Sequence, residues 1–256
     1  MKPFHLKFLF LTVLLSLIPA SATAQSNKAT SDPRSQEAEK FHQAGYNLFL
    51  EREYRKALEA FQKELPLRRA ANDSVGEAWA LNQIGECQSS LGEYIEALNS
   101  YNQALSLFRQ VRESHGVART LHGVASCNMA LGNKSQALES LKELLPLVQA
   151  TPDRHWEGNV LSDIGYTYLK LGEKEKAFRY LLDRLAYERK LQNEVGEAEA
   201  HKALGWAYQS VGEKAKAIES YQQALALRLK FSRTVVSDDL NAEILQLKEV
   251  IKKLQE

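Results

Sequence analysis

The sequence predicts an all-α fold: a right-handed α-α superhelix of five helix pairs closed by a C-terminal capping helix. Three observations predict it. One turn recurs at a fixed interval, as LGEYIEAL (91–98), LGNKSQAL (131–138), LGEKEKAF (171–178) and VGEKAKAI (211–218), with a degenerate LEREYRKAL upstream at 50–58. Ala57, Ala97, Ala137, Ala177 and Ala217 form a column that is alanine in every copy, and Leu65, Leu105, Leu145, Leu185 and Leu225 form a second that is always leucine. Around these columns the apolar positions step by three and four residues, which gives two amphipathic helices per copy.

Each element follows in order. Lys2 and Lys7 precede an apolar run from Phe8 to Ile18, then Pro19 and Ala22-Thr23-Ala24. That order of basic, apolar and small residues predicts a signal peptide over 1–24, and the run is short of the roughly 20 residues that span a bilayer. Residues 25–37, opening QSNKATSDPRSQ, hold no apolar side chain larger than alanine and are expected to be a disordered leader. Five units follow over 38–231, at about 38–71, 78–111, 118–151, 158–191 and 198–231. In each, a small column (Gly45, Gly85, Ala125, Gly165, Gly205) lets the two helices approach closely. Gly92, Gly132, Gly172 and Gly212 stand where the first helix must stop. His201 replaces an apolar residue of the packing column Phe41, Leu81, Leu121, Leu161 and is expected to be half buried. Pro66 and Pro146 fall late in second helices and predict local bends there. After 231 the period is expected to stop. Residues 238–255 form a last helix whose Leu240, Ile244, Leu247, Ile251 and Leu254 either seal the fifth pair or make a short heptad seam with a second copy.

The columns carry a resemblance. Leu161-x2-Ile164-Gly165-x2-Tyr168 followed by Ala177, with Ala97-x3-Tyr101 and Ala104 in a second helix, is similar to the tetratricopeptide repeat (TPR) pattern. The period of 40 rather than 34 resembles the longer variant of that repeat, found upstream of caspase-like peptidase domains in bacterial proteins. The residues after the array are expected to be too few for such a domain. The resemblance implies that first helices line a concave groove.

Little in the sequence suggests catalysis. Loss of Lys2 and Lys7 takes the formal charge from +1 to −1, and a near-neutral chain with both signs interspersed argues against nucleic acid and against electrostatic attachment to membranes. Cys87 and Cys127 share a column of adjacent copies, and stacked helices about 10 Å apart leave them beyond disulfide reach, so both are expected to be buried thiols. No HExxH, CxxC, P-loop or GxSxG occurs. His42 and His122 share one column, and His115 and His155 another, which is a weak metal signal. No enzyme activity, metal or cofactor is expected.

What the packing leaves over is a stripe on the first helices. It runs through His42 and Tyr46, Asn82 and Glu86, His122 and Ser126, Tyr166, then Lys202 and Trp206, with Phe49, Ser89, Met129, Ser162, Leu169 and Gln209 beside them. Its aromatic, amide and charged content suits a peptide segment. The expected function is a non-enzymatic, extracytoplasmic scaffold that binds a peptide or protein partner in its groove. The chain is expected to be a monomer with no stable membrane anchor after cleavage. A homo-oligomer built through 238–255 or by end-to-end stacking of repeats is the competing expectation.

Overall fold

The computed structural model describes residues 32–151, 154–232 and 237–256, so the expected signal segment 1–24 and the leader up to residue 31 lie outside it, as does the side chain of His155. Among the described residues eleven helices follow one another. The pairs are α1 (Pro33–Leu50) with α2 (Tyr54–Ala70), α3 (Ser74–Ser90) with α4 (Tyr94–Gln110), and α5 (Ser114–Ala130) with α6 (Lys134–Gln149). They continue with α7 (Arg154–Leu171) and α8 (Lys174–Lys190), then α9 (Glu194–Ser210) and α10 (Lys214–Phe231), and α11 (Asp238–Gln255) closes the series. Each helix packs antiparallel on its pair-mate and then on the next pair. The expected five pairs and last helix are all present.

The period has a plain origin. Helices of 17 residues alternate with three-residue turns, so the next pair opens at Ser114 as the last one did at Ser74. Within a pair the turn is closed at Gly92, Gly132, Gly172 and Gly212, all at φ near +81 to +83°, where a Cβ would be strained. The Gly92 N–H donates to the Ser89 carbonyl and the Glu93 N–H to the Gln88 carbonyl, which satisfies the end of α3. In the first pair Arg52 takes the same left-handed conformation without a glycine. α2 and α6 run through Pro66 and Pro146.

The first helix begins earlier than the expected boundary at residue 38. α1 opens at Pro33, because the Asp32 carboxylate accepts from the Arg34 N–H and Pro33 occupies the first turn, where its missing N–H costs nothing.

The core runs through the pairs. The alanine column is fully buried in all five copies, and Gly45, Gly85, Gly165 and Gly205 lie against Phe61, Tyr101, Leu181 and Tyr221. The leucine column is less buried than two neighbours that vary in chemistry. One is Glu64, Ala104, Leu144, Arg184, Ala224; the other is Arg68, Phe108, Val148, Glu188, Arg228. Middle copies fill these positions with apolar groups. The first and fourth copies fill them with charge pairs: Arg68 Nε to Glu64 Oε1 at 2.9 Å, and Arg184 Nε to Glu188 Oε1 at 3.9 Å.

The last helix corrects the expectation that the period stops at 231. Leu240, Ile244, Leu247 and Ile251, all buried, stand one full period beyond Ala200, Leu204, Ala207 and Val211. The polar contacts keep the same register. Lys202 Nζ reaches Glu243 Oε1 at 2.8 Å, as His122 Nε2 reaches Asp163 Oδ2 at 3.2 Å one residue beyond a full period. α11 is therefore an in-register first helix of a sixth unit. Its Leu245, 58% exposed, stands where the small column has Gly205.

Candidate functional site

The expected groove stripe divides into two rows when the first helices are placed side by side. The row His42, Asn82, His122, Ser162, Lys202 lies along the seams between helices, where most of its polar groups are already partnered. Asn82 is fully buried, which corrects its assignment to the groove surface: it accepts from Thr120 Oγ1 of α5 at 3.0 Å and donates to Glu86 Oε1 at 3.0 Å. Lys202 is held by Glu199 and Glu243, so it ties α9 to α11. Ser162 is buried under Arg184, which donates to it at 2.5 Å. His122 bridges to Asp163 of α7.

His42, like Ser162, faces its own second helix. Its Nδ1 lies 3.2 Å from Glu64 Oε2, and that bond raises its pKa above the ordinary 6.5 against the opposing effect of burial. A raised folded value favours the imidazolium, so its stabilisation is complete below pH 6.5 and is lost as pH rises through the folded value. In urea titrations the stability difference between wild type and His42→Gln should therefore shrink on the alkaline side. A difference that grows with pH would contradict the pairing.

The row Tyr46, Glu86, Ser126, Tyr166, Trp206 opens outward. Tyr46 is 44% exposed and Trp206 37%, both large for such exposure. Trp206 packs edge-on against Tyr166 with ring centroids 4.9 Å apart, and Lys170 Nζ lies 5.5 Å over its face. In the middle Glu86 Oε1 takes Arg119 at 2.8 Å. Here the small side chains of α3 and α5 leave a cleft of about 460 Å³, bordered by Phe49, Glu86, Arg119, His122, Ser126 and Trp156.

Arg119, His115 and Trp156 are part of this site without having been singled out for it. His115 stands between Trp79 and Trp156, at centroid distances of 5.7 and 6.0 Å, and the Arg119 guanidinium lies 5.8 Å from the Trp79 ring. One signal was readable: Trp156 stands where three of the other four units have Gly76, Gly116 and Gly196. Those glycines sit in the first turn, each N–H donating to the side chain of Asp73, Glu113 or Asn193. A Cβ at Gly116 would collide with the Phe108 ring. Burial pushes the Cys87 thiol up to about 12, both cysteines are buried and free, and among the described residues no His, Cys, Asp and Glu cluster could hold a metal.

Comparison with known proteins agrees with the fold. The tetratricopeptide repeat pattern matches residues 36–110 and 116–190, and a second form of it matches 198–230. No curated protein matches. Among solved structures the chain is similar to kinesin light chain TPR-like repeats from Podosopora anserina, at TM-score 0.68 and 18% identity, covering 79% of this chain and 99% of that one. It also resembles the tetratricopeptide-repeat sensor protein PH0952 from Pyrococcus horikoshii, a signal transduction ATPase (TM-score 0.69, 16% identity, 88% of this chain, 34% of that one). A third is a Rap protein complexed with competence and sporulation factor (TM-score 0.61, 15% identity, 91% of this chain, 69% of that one).

Proposed function

This chain belongs to the tetratricopeptide repeat family, and from that premise we propose that it is an exported, non-enzymatic scaffold holding a peptide or protein segment along its first-helix groove. The repeat fold itself suggests protein–protein interaction. One observation carries the finer reading: Trp206 is a large aromatic on the open row, seated on Tyr166, that the packing of the helix pairs does not use. Such half-exposed, rigid aromatics are the side chains that dominate peptide interfaces. Tyr46 repeats the feature at the other end, so a segment would meet aromatic anchors at the two ends and the polar cleft between them. The Rap protein's complex shows the same kind of array bound to a factor. Export rests on the residue order at 1–24, and no described helix is long and apolar enough to cross a membrane.

The apolar seam of α11 is occupied against α10, which favours a monomer over pairing through 238–255. Capture of partners from the extracytoplasmic fraction tests the proposal. Tyr166→Ala with Trp206→Ala should leave helical circular dichroism nearly intact and weaken capture about tenfold or more, if each ring supplies about 1 kcal/mol. Lys174→Ala with Lys214→Ala, at the turns, should have no effect; the reverse result would place binding on another face.

A further inference from the structure

The cleft has an unmet donor at its floor. The Tyr101 ring runs from under Gly85 to under Gly123: a Cβ at Gly85 would meet its near edge at 2.8 Å, and one at Gly123 would meet the phenolic carbon at 2.5 Å. Tyr101 is 3% exposed, and what shows of it lines the cleft. Its hydroxyl makes no hydrogen bond among the described residues. The hydroxyl opens on the cleft, where water or a ligand group can meet it.

The fifth unit shows the equivalent hydroxyl with a partner. Tyr221 occupies the column of Tyr101 and lies under Gly205 as Tyr101 lies under Gly85, but its hydroxyl donates to Gln209 Oε1 at 3.0 Å. The counterpart of Gln209 in the second unit is Ser89, too short to repeat the bond and already accepting from the Cys127 thiol at 3.5 Å. On the far side, Glu243 of α11, which follows the fifth unit, corresponds to Gly123 of α5, which follows the second.

We propose that the cleft binds a primary amide of the partner segment, a glutamine side chain, with its carbonyl on the Tyr101 hydroxyl. This rests on the groove reading above and specifies one residue of the bound segment. The surrounding charge selects an amide over a carboxylate. Arg119 is neutralised by Glu86, whose Oε1 takes both Asn82 and Arg119 while Oε2 makes no hydrogen bond among the described residues. An added carboxylate would meet that carboxylate; an amide offers it N–H groups and offers Tyr101 an acceptor.

Selection from a random heptapeptide display library on the immobilised full chain tests the assignment. Wild type should enrich glutamine at one position. Tyr101→Phe, which removes only the hydroxyl, and Ser89→Gln, which supplies the amide from within as Gln209 does, should each weaken that preference about fivefold while other selected positions persist. Ser89→Gln should melt at or above the wild-type temperature, so it decides the matter even if Tyr101→Phe folds poorly. Enrichment of glutamate instead, no side-chain preference, or a glutamine preference untouched by Ser89→Gln overturns the amide subsite and leaves the groove intact. No enrichment of any peptide overturns the groove reading itself.

Discussion

Deleting residues 238–256 is expected to unravel the end of the array and leave its middle folded. α11 covers Tyr221 and Ala224 of α10 with Leu247 and Ile251, and Leu240 and Ile244 are buried beside them. Four such side chains are worth about 1.5 kcal/mol each at the low end, so the last interface loses on the order of 6 kcal/mol. Glu243 leaves as well. Its Oε2 lies 2.9 Å from the Nε of the buried Arg228, which would then depend on Glu199 alone. In a stacked array each unit touches only its neighbours, so the loss stays local. Amide exchange should accelerate by about a hundredfold or more in α10 while α4 to α6 exchange as in the full chain. Equal acceleration throughout would mean that the array unfolds as one unit.

Glu188→Ala is expected to cost about 3–5 kcal/mol, because it leaves Arg184 buried without its counter-charge. The third unit suggests the remedy. It carries Leu144 and Val148 at the same two positions, both fully or almost fully buried. The double change Arg184→Leu with Glu188→Val should therefore recover most of the loss, and ends near wild type or above it. Ser162 and Asn193, which now exchange hydrogen bonds with this pair, set a residual cost of about 1 kcal/mol. Urea denaturation of the three variants reads the result. A silent single change, or a double change as costly as the single, would show that the charge pair is not what governs this interface.

The scaffold was legible where residue type stays constant. The alanine and glycine columns identified the units and their turns because a close approach and a left-handed φ each admit few side chains. The continuation into α11 was not legible, because its columns change class: Ala200 becomes Leu240 and Ala207 becomes Leu247. The start of α1 was missed for a local reason. Asp32-Pro33 reads as linker composition, yet it is also a capping pair. In the site, Tyr166 and Trp206 were found because they depart from the packing pattern, whereas Asn82 departs from it too and is buried by Thr120, a neighbour nearly one period away in sequence. Tyr101 was read as core, and its ring is. Only the comparison with Tyr221 shows that its hydroxyl differs.

The in-register sixth helix also bears on how such a chain can change length. Residues 200–211 and 240–251 present side chains at the same spacing to the preceding unit. A genetic duplication of one whole period, wherever its break falls, would hand every helix a neighbour of the kind it already has. A duplication one residue shorter or longer would turn the following helix by about 100° and point its buried stripe at water. Growth of the array is thus quantised. Leu245 in the small column sets α11 apart, since a second helix could not approach it as closely as α10 approaches Gly205.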